Sequence, residues 1–281
     1  MDNNLVLKRF FSKNMVHDLL RENEERLFDF VVRRYIREPE GKSYGTLISE
    51  IYSIMNKEYR TEYYYKNTML NKLLFKNHDY RKTIALTELP IGNSKADFVM
   101  INGKGIVYEI KTELDNLERL DSQIQDYYKA FTSVYIVTYQ ENLERIEKTI
   151  DNSVGIMVLT KRNALKTLRK PEEYKEKLEY ETIFRILRKK EFEEIIKSHN
   201  MNLPQVSQFE YYAECFKLIK KIEICELQRE MLKQLKTRMK IEIVEQSIRM
   251  PDELRFLVYF DTLKQKECEK IDNILNKQFG G

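Results

Sequence analysis

The sequence has few of the residues that build disulfide frameworks, metal clusters and flexible linkers. Its 281 residues include three cysteines, eight glycines and five prolines. Cys215, Cys225 and Cys268 form no CxxC pair, which argues against disulfides or a zinc site and is typical of a reducing compartment. Glycine and proline are too scarce for long linkers, so we expect a folded chain.

Long apolar runs and a large excess of charge are also missing. No window approaches the roughly 18 continuous apolar residues of a spanning helix, so we expect no membrane association and a cytoplasmic location. Lysine and arginine number 49 against 45 aspartate and glutamate, an excess too small to indicate nucleic acid by itself. The three histidines are isolated and support no zinc site or histidine base.

The chain that remains is 42% hydrophobic and long enough for one large domain or two modest ones. Helical spacing of apolar residues predicts an N-terminal helical arm over residues 1–60 and a C-terminal all-α domain over 166–281, with 161–171 as a basic connector. Between them, residues 61–165 alternate helical and strand patterns. The expected order is a helix opening at Thr61, strands 84–89, 96–101 and 106–111, helix 117–131, strand 134–138, helix 141–151 and strand 154–159.

This order predicts an α/β fold, or an α+β fold with a mixed sheet. The first three strands are close enough in sequence to form an antiparallel meander. The fourth follows a helix, so we expect it to pair in parallel with the third.

Three charged residues lie on the central pair of these strands. Asp97 belongs to one strand, and Glu109 and Lys111 belong to the next. Charges beside a tight turn are costly unless they have a function. Because side chains alternate along a strand, Glu109 and Lys111 share one face.

Whether Asp97 joins that face depends on the turn between the strands. A two-residue loop at Asn102-Gly103 would put Asp97 opposite Tyr108, pointing away from Glu109. A loop of three or five residues, or a bulge, would return it to the same face. We predict an odd-length loop or a bulge.

Two carboxylates that converge with the main-chain carbonyl of Ile110 form an oxygen-rich site suited to Mg²⁺ or Mn²⁺. Such a metal lowers the pKa of a bound water and offsets charge on a phosphoryl oxygen. The Lys111 ammonium could orient the water or stabilise the developing negative charge. This chemistry is phosphodiester hydrolysis.

Asp97 and Glu109-Ile110-Lys111 resemble the signature of the PD-(D/E)XK, restriction-endonuclease-like nucleases, and so does the order of elements. Gln123 and Tyr127 on the next helix resemble the Gln-x-x-x-Tyr motif of the RecB-like branch; four residues apart, they share a helical face. Ala96 stands where the family name has proline. Three scattered cysteines cannot build the four-cysteine iron–sulfur cluster of some relatives.

The resemblance covers about a third of the chain and implies a metal-dependent deoxyribonuclease. The family often adds an acid from the first helix, for which Glu62 is the first choice and Glu88 on the first strand the rival. DNA is the implied substrate, although the residues do not distinguish it from RNA; a homodimer or a protein partner bound through the helical regions is expected by analogy. The basic residues expected to follow phosphates are Lys161, Arg162, Arg185, Arg188, Lys189 and Lys190.

Each of these assignments has an alternative. Glu109 and Lys111 could form an edge-strand ion pair, Asp97 could be an ordinary residue near a turn, and the basic residues could be a solvated helix face. Gln123 could be a polar helix position beside the core aromatic Tyr127. The alternative function is a catalytically inactive, nuclease-like protein that binds nucleic acid or regulates.

Overall fold

The computed structural model divides the chain into two compact units. Unit 1 combines residues 1–80 with 240–281, and unit 2 is formed by residues 81–239. The structure describes residues 3–21, 26–261 and 263–280.

Helices and strands alternate only in the middle of the chain. The helices are α1 (Asn3–Phe10), α2 (Lys13–Arg21), α3 (Arg26–Tyr35), α4 (Tyr44–Glu58), α5 (Glu62–Met69), α6 (Leu120–Tyr128), α7 (Leu143–Thr149), α8 (Tyr180–Ile186), α9 (Lys189–Ser198), α10 (Gln208–Ile219), α11 (Ile224–Lys236), α12 (Ile241–Arg249), α13 (Arg255–Asp261) and α14 (Gln265–Leu275). The strands are β1 (Ile84–Ile91), β2 (Ser94–Asn102), β3 (Lys104–Ile110), β4 (Ser133–Thr138), β5 (Gly155–Leu159) and β6 (Leu165–Arg169). A π-helix, Leu70–Lys76, continues α5.

Unit 2 is built on one six-stranded mixed sheet with strand order β1-β2-β3-β4-β5-β6. The β1–β2 and β2–β3 pairs are antiparallel, the β3–β4 and β4–β5 pairs are parallel, and β6 returns antiparallel to β5. The protein therefore has a mixed α/β architecture with helices at both ends of the chain. The predicted meander and the parallel pairing of β3 with β4 are confirmed.

One hydrophobic core joins this sheet to the helices of unit 2. Val107 of β3 and Phe131 after α6 belong to the same buried cluster as Phe184 of α8 and Leu227 of α11. Burial of this apolar surface is the main stabilising contribution to the unit. Helices far apart in sequence therefore support the strands that carry the charged residues.

The division into units differs from the three segments expected from sequence. The basic stretch expected to connect domains contains β6, and residues 166–239 belong to the unit that holds the sheet. Residues 240–281 instead join the N-terminal helices.

Unit 1 is held together by contacts between its two chain segments. The Asn67 side chain donates to the hydroxyl of Tyr52 and to the carbonyl of Asp252, both at 2.9 Å. A short β-bridge joins Ser43 to Gln278. Within the described ranges, no helix is both long and apolar enough to cross a lipid bilayer.

Candidate functional site

The turn between β2 and β3 has an odd number of residues. Asn102 pairs with Lys104, so Gly103 alone reverses the chain. The φ of Gly103 is 69°, in the left-handed region that glycine adopts at low cost. Continuing this register places Asp97 opposite Glu109, and directly opposed residues of an antiparallel pair share a face. The predicted odd-length loop is confirmed.

The Asp97 carboxylate accepts a backbone hydrogen bond from β3 just beyond the last paired residues of β2 and β3. Its Oδ2 accepts the backbone N–H of Ile110 at 2.8 Å. Its own carbonyl accepts the hydroxyl of Thr87 on β1 at 2.7 Å. Asp97 is half-buried. A contact from β1 thus holds the backbone of Asp97, and one from β3 holds its carboxylate beside the end of β3.

Glu109 is only 2% exposed and accepts three side-chain hydrogen bonds. Its Oε1 receives Lys111 Nζ at 2.9 Å and Gln123 Nε2 at 2.7 Å. Its Oε2 receives the Tyr127 hydroxyl at 2.5 Å. A carboxylate accepts at about four lone-pair positions, so Glu109 keeps one for a further ligand, at Oε2.

Lys111 lies just beyond the end of β3 and is 7% exposed. Its ammonium donates to Glu109 and to Gln123 Oε1, each at 2.9 Å. Its backbone N–H donates to Val137, and its carbonyl accepts the hydroxyl of Thr138 at 2.8 Å. Because an ammonium has three N–H donors, one remains after the two side-chain bonds. The lysine is thus fixed in place with a donor to spare.

The helix α6 supplies both partners that orient Glu109. Gln123 and Tyr127 are four residues apart, so they lie on one face of α6. Burial, together with the negative charge of Glu109, raises the pKa of Tyr127 well above its usual value. Tyr127 therefore stays a phenol at neutral pH and acts as a donor to Glu109.

The start of α6 differs from the sequence expectation. From the sequence, Asp115 and Glu118 have the spacing of a capping box, which predicts a helix from about residue 117, but α6 begins at Leu120. Asp115 instead accepts the N–H and the hydroxyl of Thr112, both at 2.7 Å. The predicted cap is therefore wrong, because Asp115 binds the chain leaving β3 rather than the helix.

Asp126, next to Tyr127 on α6, is a buried acid that is not among the residues predicted from sequence. It is 7% exposed and accepts the N–H of Asn93 at 3.1 Å, the hydroxyl of Ser94 at 2.7 Å and the ammonium of Lys129 at 2.8 Å. At Gly92, whose φ is 60°, a Cβ would lie 2.6 Å from Asp126 Oδ1. The turn between β1 and β2 is thus fastened to α6 by the neighbour of Tyr127. In the sequence, the one feature that could have drawn attention to Asp126 is that it is an acid within the Gln123-to-Tyr127 segment.

Asp126→Ala is expected to lower the free energy of unfolding by about 2–3 kcal/mol, since a hydrogen bond to a charged group contributes about 1.5–3 kcal/mol. Burial alone would raise the pKa of Asp126, but hydrogen bonds from Lys129 and Ser94 outweigh it and lower the pKa. A lowered native pKa stabilises above the unfolded pKa, about 4, and this contribution is lost as the pH falls. Urea unfolding at pH 7 and between pH 5 and 3 checks this. Asp121→Ala, exposed on the same helix, is the control; equal losses in both variants would contradict the role.

The two candidates for an additional acid lie in different units. Glu88 in β1 is exposed, has a φ of 54° and pairs with Lys95 at 3.3 Å. A carboxylate oxygen of Glu88 lies within 4.8 Å of one of Asp97. Glu62 begins α5 in unit 1, after the N-cap Thr61, and pairs with Lys66 at 2.5 Å. Glu88 is thus beside Asp97, and Glu62 as a third acid stays a prediction.

The six basic residues expected to follow phosphates lie outside this cluster. Half of them form ion pairs: Lys161 with Glu141 at 2.7 Å, Arg185 with Glu181 at 2.5 Å and Lys189 with Glu193 at 3.9 Å. The remaining three, Arg162, Arg188 and Lys190, are exposed. Pairing with acids reduces the positive potential that this set presents to a nucleic acid.

Comparisons with known proteins match different lengths of the chain. Protein cII of Enterobacteria phage P4 is 27% identical over 93 residues, which is 32% of this chain and 35% of that protein. The chain thus matches about a third of the length of this relative. The SPO1766 protein of unknown function from Silicibacter pomeroyi shares 13% identity over 34% of this chain and 64% of its own, with a TM-score of 0.28, too low to indicate a common fold. The family model described as Bacteriophage P4 protein cII matches residues 55–256, well over half of the sequence, and the chain belongs to this family.

Proposed function

We propose that this protein is a metal-dependent nuclease that hydrolyses phosphodiester bonds of DNA on a restriction-endonuclease-like core. The observation that supports the proposal most is the register of β2 and β3. It opposes Asp97 to Glu109 on one face, where the Lys111 ammonium contacts Glu109 and Gln123. Burying three charged side chains close together on one face is costly, so such a group is a candidate for a functional site.

The donor set fits a hard divalent cation. Asp97, the remaining lone pair of Glu109 and the carbonyl of Ile110 offer oxygen ligands, which Mg²⁺ and Mn²⁺ prefer. Glu88 or Glu62 is the candidate for a further carboxylate. When bound, the metal would lower the pKa of a water and offset negative charge on the phosphoryl oxygen.

The side chains have separate tasks in this proposal. The third N–H of Lys111 would donate to the attacking water or to a phosphate oxygen. Negative charge develops on that oxygen during hydrolysis, and the ammonium would stabilise it. Gln123 restrains Lys111 and Glu109 together, and Tyr127 holds the second oxygen of Glu109. A lysine fixed before substrate binds requires little reorganisation during the reaction.

DNA is the proposed substrate, with the cytoplasm as the proposed location. Within the predicted basic set, Arg162, Arg188 and Lys190 are exposed and form no salt bridge with another described residue, so they are the members most available to a phosphate backbone. A second copy of the chain, or another protein bound through the helical regions, would be needed if two strands are cut together.

A second candidate function is binding or regulation without turnover. The observation that favours it is the burial of Glu109 and Lys111, which are 2% and 7% exposed. A buried ion pair can serve the fold alone, and a nuclease-like core can carry a function other than cleavage. The two functions differ in whether the site binds a metal and turns substrate over.

Asp97→Asn is expected to lower Mn²⁺ affinity by at least about tenfold and the cleavage rate by about 10²–10³-fold, because the amide removes a charged ligand. Titration calorimetry with Mn²⁺ measures the first effect. Incubation of plasmid DNA, single-stranded DNA and RNA with Mg²⁺ or Mn²⁺ measures the second and identifies the substrate.

Asp121→Asn on α6 is the control, since Asp121 is exposed and contacts Gln125 rather than the cluster. Cleavage that persists unchanged in Asp97→Asn would refute the proposed site. Nucleic-acid binding by the wild type, without metal binding or cleavage, would favour the second function.

A further inference from the structure

A pocket of about 230 Å³ lies in unit 2 between α11 and the turn that joins β2 to β3. The hairpin contributes Gly103 of the turn and Lys104 and Gly105 of β3, and α11 contributes Gln228, Arg229 and Leu232. The pocket is at the far end of the hairpin from Glu109. Glu109 lies five steps along β3 from Lys104, which corresponds to about 17 Å at roughly 3.3 Å per residue.

The close approach of α11 to the turn depends on a glycine. A Cβ at position 105 would lie 2.5 Å from Leu232 Cδ2 and 2.8 Å from Phe131 Cδ1. Neither neighbour is a flexible, exposed side chain, since both are buried. The absence of a side chain at Gly105 therefore lets Leu232 and Phe131 pack against the strand beside the pocket.

Gln228 lines this pocket and is 93% buried, with 7% of its surface exposed. Its side-chain amide forms no hydrogen bond with any residue that the structure describes. The amide nitrogen and oxygen of Gln228 are not among the fully buried atoms without a partner in the described residues, so they reach the open space of the pocket. Gln228 therefore has both donors and an acceptor to offer a molecule in the pocket.

The charged groups around the pocket have a positive excess. Lys104 and Lys175 share one acid, Glu173, which each of them contacts. These two lysines hold the pKa of Glu173 below its usual value, so it stays ionised. Arg229 is exposed and forms no salt bridge with another described residue. Among the residues that line the pocket, three cations thus accompany one carboxylate.

Cys225 adds no negative charge to this balance. It lies one turn before Gln228 on the pocket side of α11. Burial and the neighbouring Glu223 raise the pKa of its thiol, so the thiol is neutral at physiological pH. The pocket therefore combines a net positive charge with a neutral hydrogen-bonding amide.

We propose that this pocket binds a phosphate monoester whose organic part carries hydrogen-bonding groups, either a free nucleotide or the phosphorylated end of a nucleic acid strand. Arg229 and the two lysines match the charge of the phosphate, and an arginine can bind two of its oxygens at once. The Gln228 amide matches a base edge or a sugar hydroxyl, which present donors and acceptors together. This site is separate from the acidic cluster and does not depend on nuclease activity.

Titration calorimetry with the full chain tests the proposal, using inorganic phosphate, adenosine monophosphate and a short single-stranded DNA with or without a 5′-phosphate. We expect saturable binding of one phosphorylated probe per chain. Arg229→Gln and Gln228→Glu should each weaken that binding at least tenfold. Gln234→Glu is the matched control, because it makes the same charge change on α11 outside the pocket and should leave affinity unchanged.

The probes distinguish the two sources of the phosphate. Tighter binding of the mononucleotide indicates a free nucleotide, and tighter binding of the phosphorylated strand than of its unphosphorylated form indicates a strand end. If Gln228→Glu does not fold, Arg229→Gln decides alone, since Arg229 is exposed. Failure of every phosphorylated probe to saturate the wild type, or full affinity in Arg229→Gln, would overturn the proposal.

Discussion

Replacing Lys111 with methionine is expected to lower the rate of DNA cleavage by about 10²–10³-fold, the usual effect of removing one donor that stabilises charge in a transition state. Methionine keeps most of the buried aliphatic volume but removes the ammonium. Asp97 and Glu109 remain, and Gln123 and Tyr127 still donate to Glu109. Mn²⁺ affinity should therefore change much less than the rate, unlike the outcome for Asp97→Asn.

Single-turnover cleavage of plasmid DNA, with the enzyme in excess over substrate, measures this effect without a contribution from product release. Lys148→Met is the control, because Lys148 is an exposed lysine on α7 that pairs with Glu144. A Lys111→Met variant that cleaves at the wild-type rate would show that the lysine is only a structural partner of Glu109.

The face on which the charged residues lie could be predicted from sequence only in part. Alternation along β3 fixes Glu109 relative to Lys111, because it depends on a single strand. The position of Asp97 depends on two strands and on the turn that joins them. Asn102-Gly103 is a common two-residue turn, yet here Gly103 alone occupies the turn. A one-residue change in that loop inverts the face of the whole strand.

The domain boundaries were harder to predict because β6 lacks an apolar pattern. All five residues of Leu165–Arg169 are exposed or only partly buried, as is typical of an edge strand. The apolar spacing of the helices that follow indicates which face of each helix is buried. It does not indicate which other element covers that face. Residues 240–281 therefore looked continuous with α8–α11, although the structure groups them with the N-terminal helices.

Site residues could be predicted where the chemistry requires particular residue types. Residues that hold the site in place through contacts with distant turns could not. Glu109, Lys111, Gln123 and Tyr127 form one hydrogen-bonded cluster. Spacing predicts only which residues share a strand or helix face, and the resemblance to the PD-(D/E)XK nucleases is what implied that Gln123 and Tyr127 belong with Glu109. Asp126 was missed because two of its three partners, Asn93 and Ser94, lie more than thirty residues earlier, at the turn between β1 and β2. Such contacts have no local signature in sequence.

Glu109→Gln is expected to destabilise the protein by about 3–5 kcal/mol, the typical cost of leaving one member of a buried ion pair without its partner. Lys111 would then keep an ammonium in a site that is 7% exposed, with Gln123 as its remaining acceptor. Lys111→Met is expected to cost less, about 1–3 kcal/mol, because Glu109 keeps two donors. Urea unfolding at pH 7 measures both values.

The double variant Glu109→Gln with Lys111→Met separates stability from catalysis. Removing both charges leaves no unpaired buried ion, so the loss of stability should be smaller than the sum of the two single losses by about 2 kcal/mol or more. The cleavage rate should nevertheless remain as low as in the less active of the two single variants, because a stable core restores neither the carboxylate nor the ammonium. A double variant that regains both stability and cleavage would contradict the nuclease site. A different outcome would favour the binding function. If the wild type never cleaves DNA, and the double variant regains stability and binds DNA as well as the wild type does, then Glu109 and Lys111 serve the fold of a binding protein.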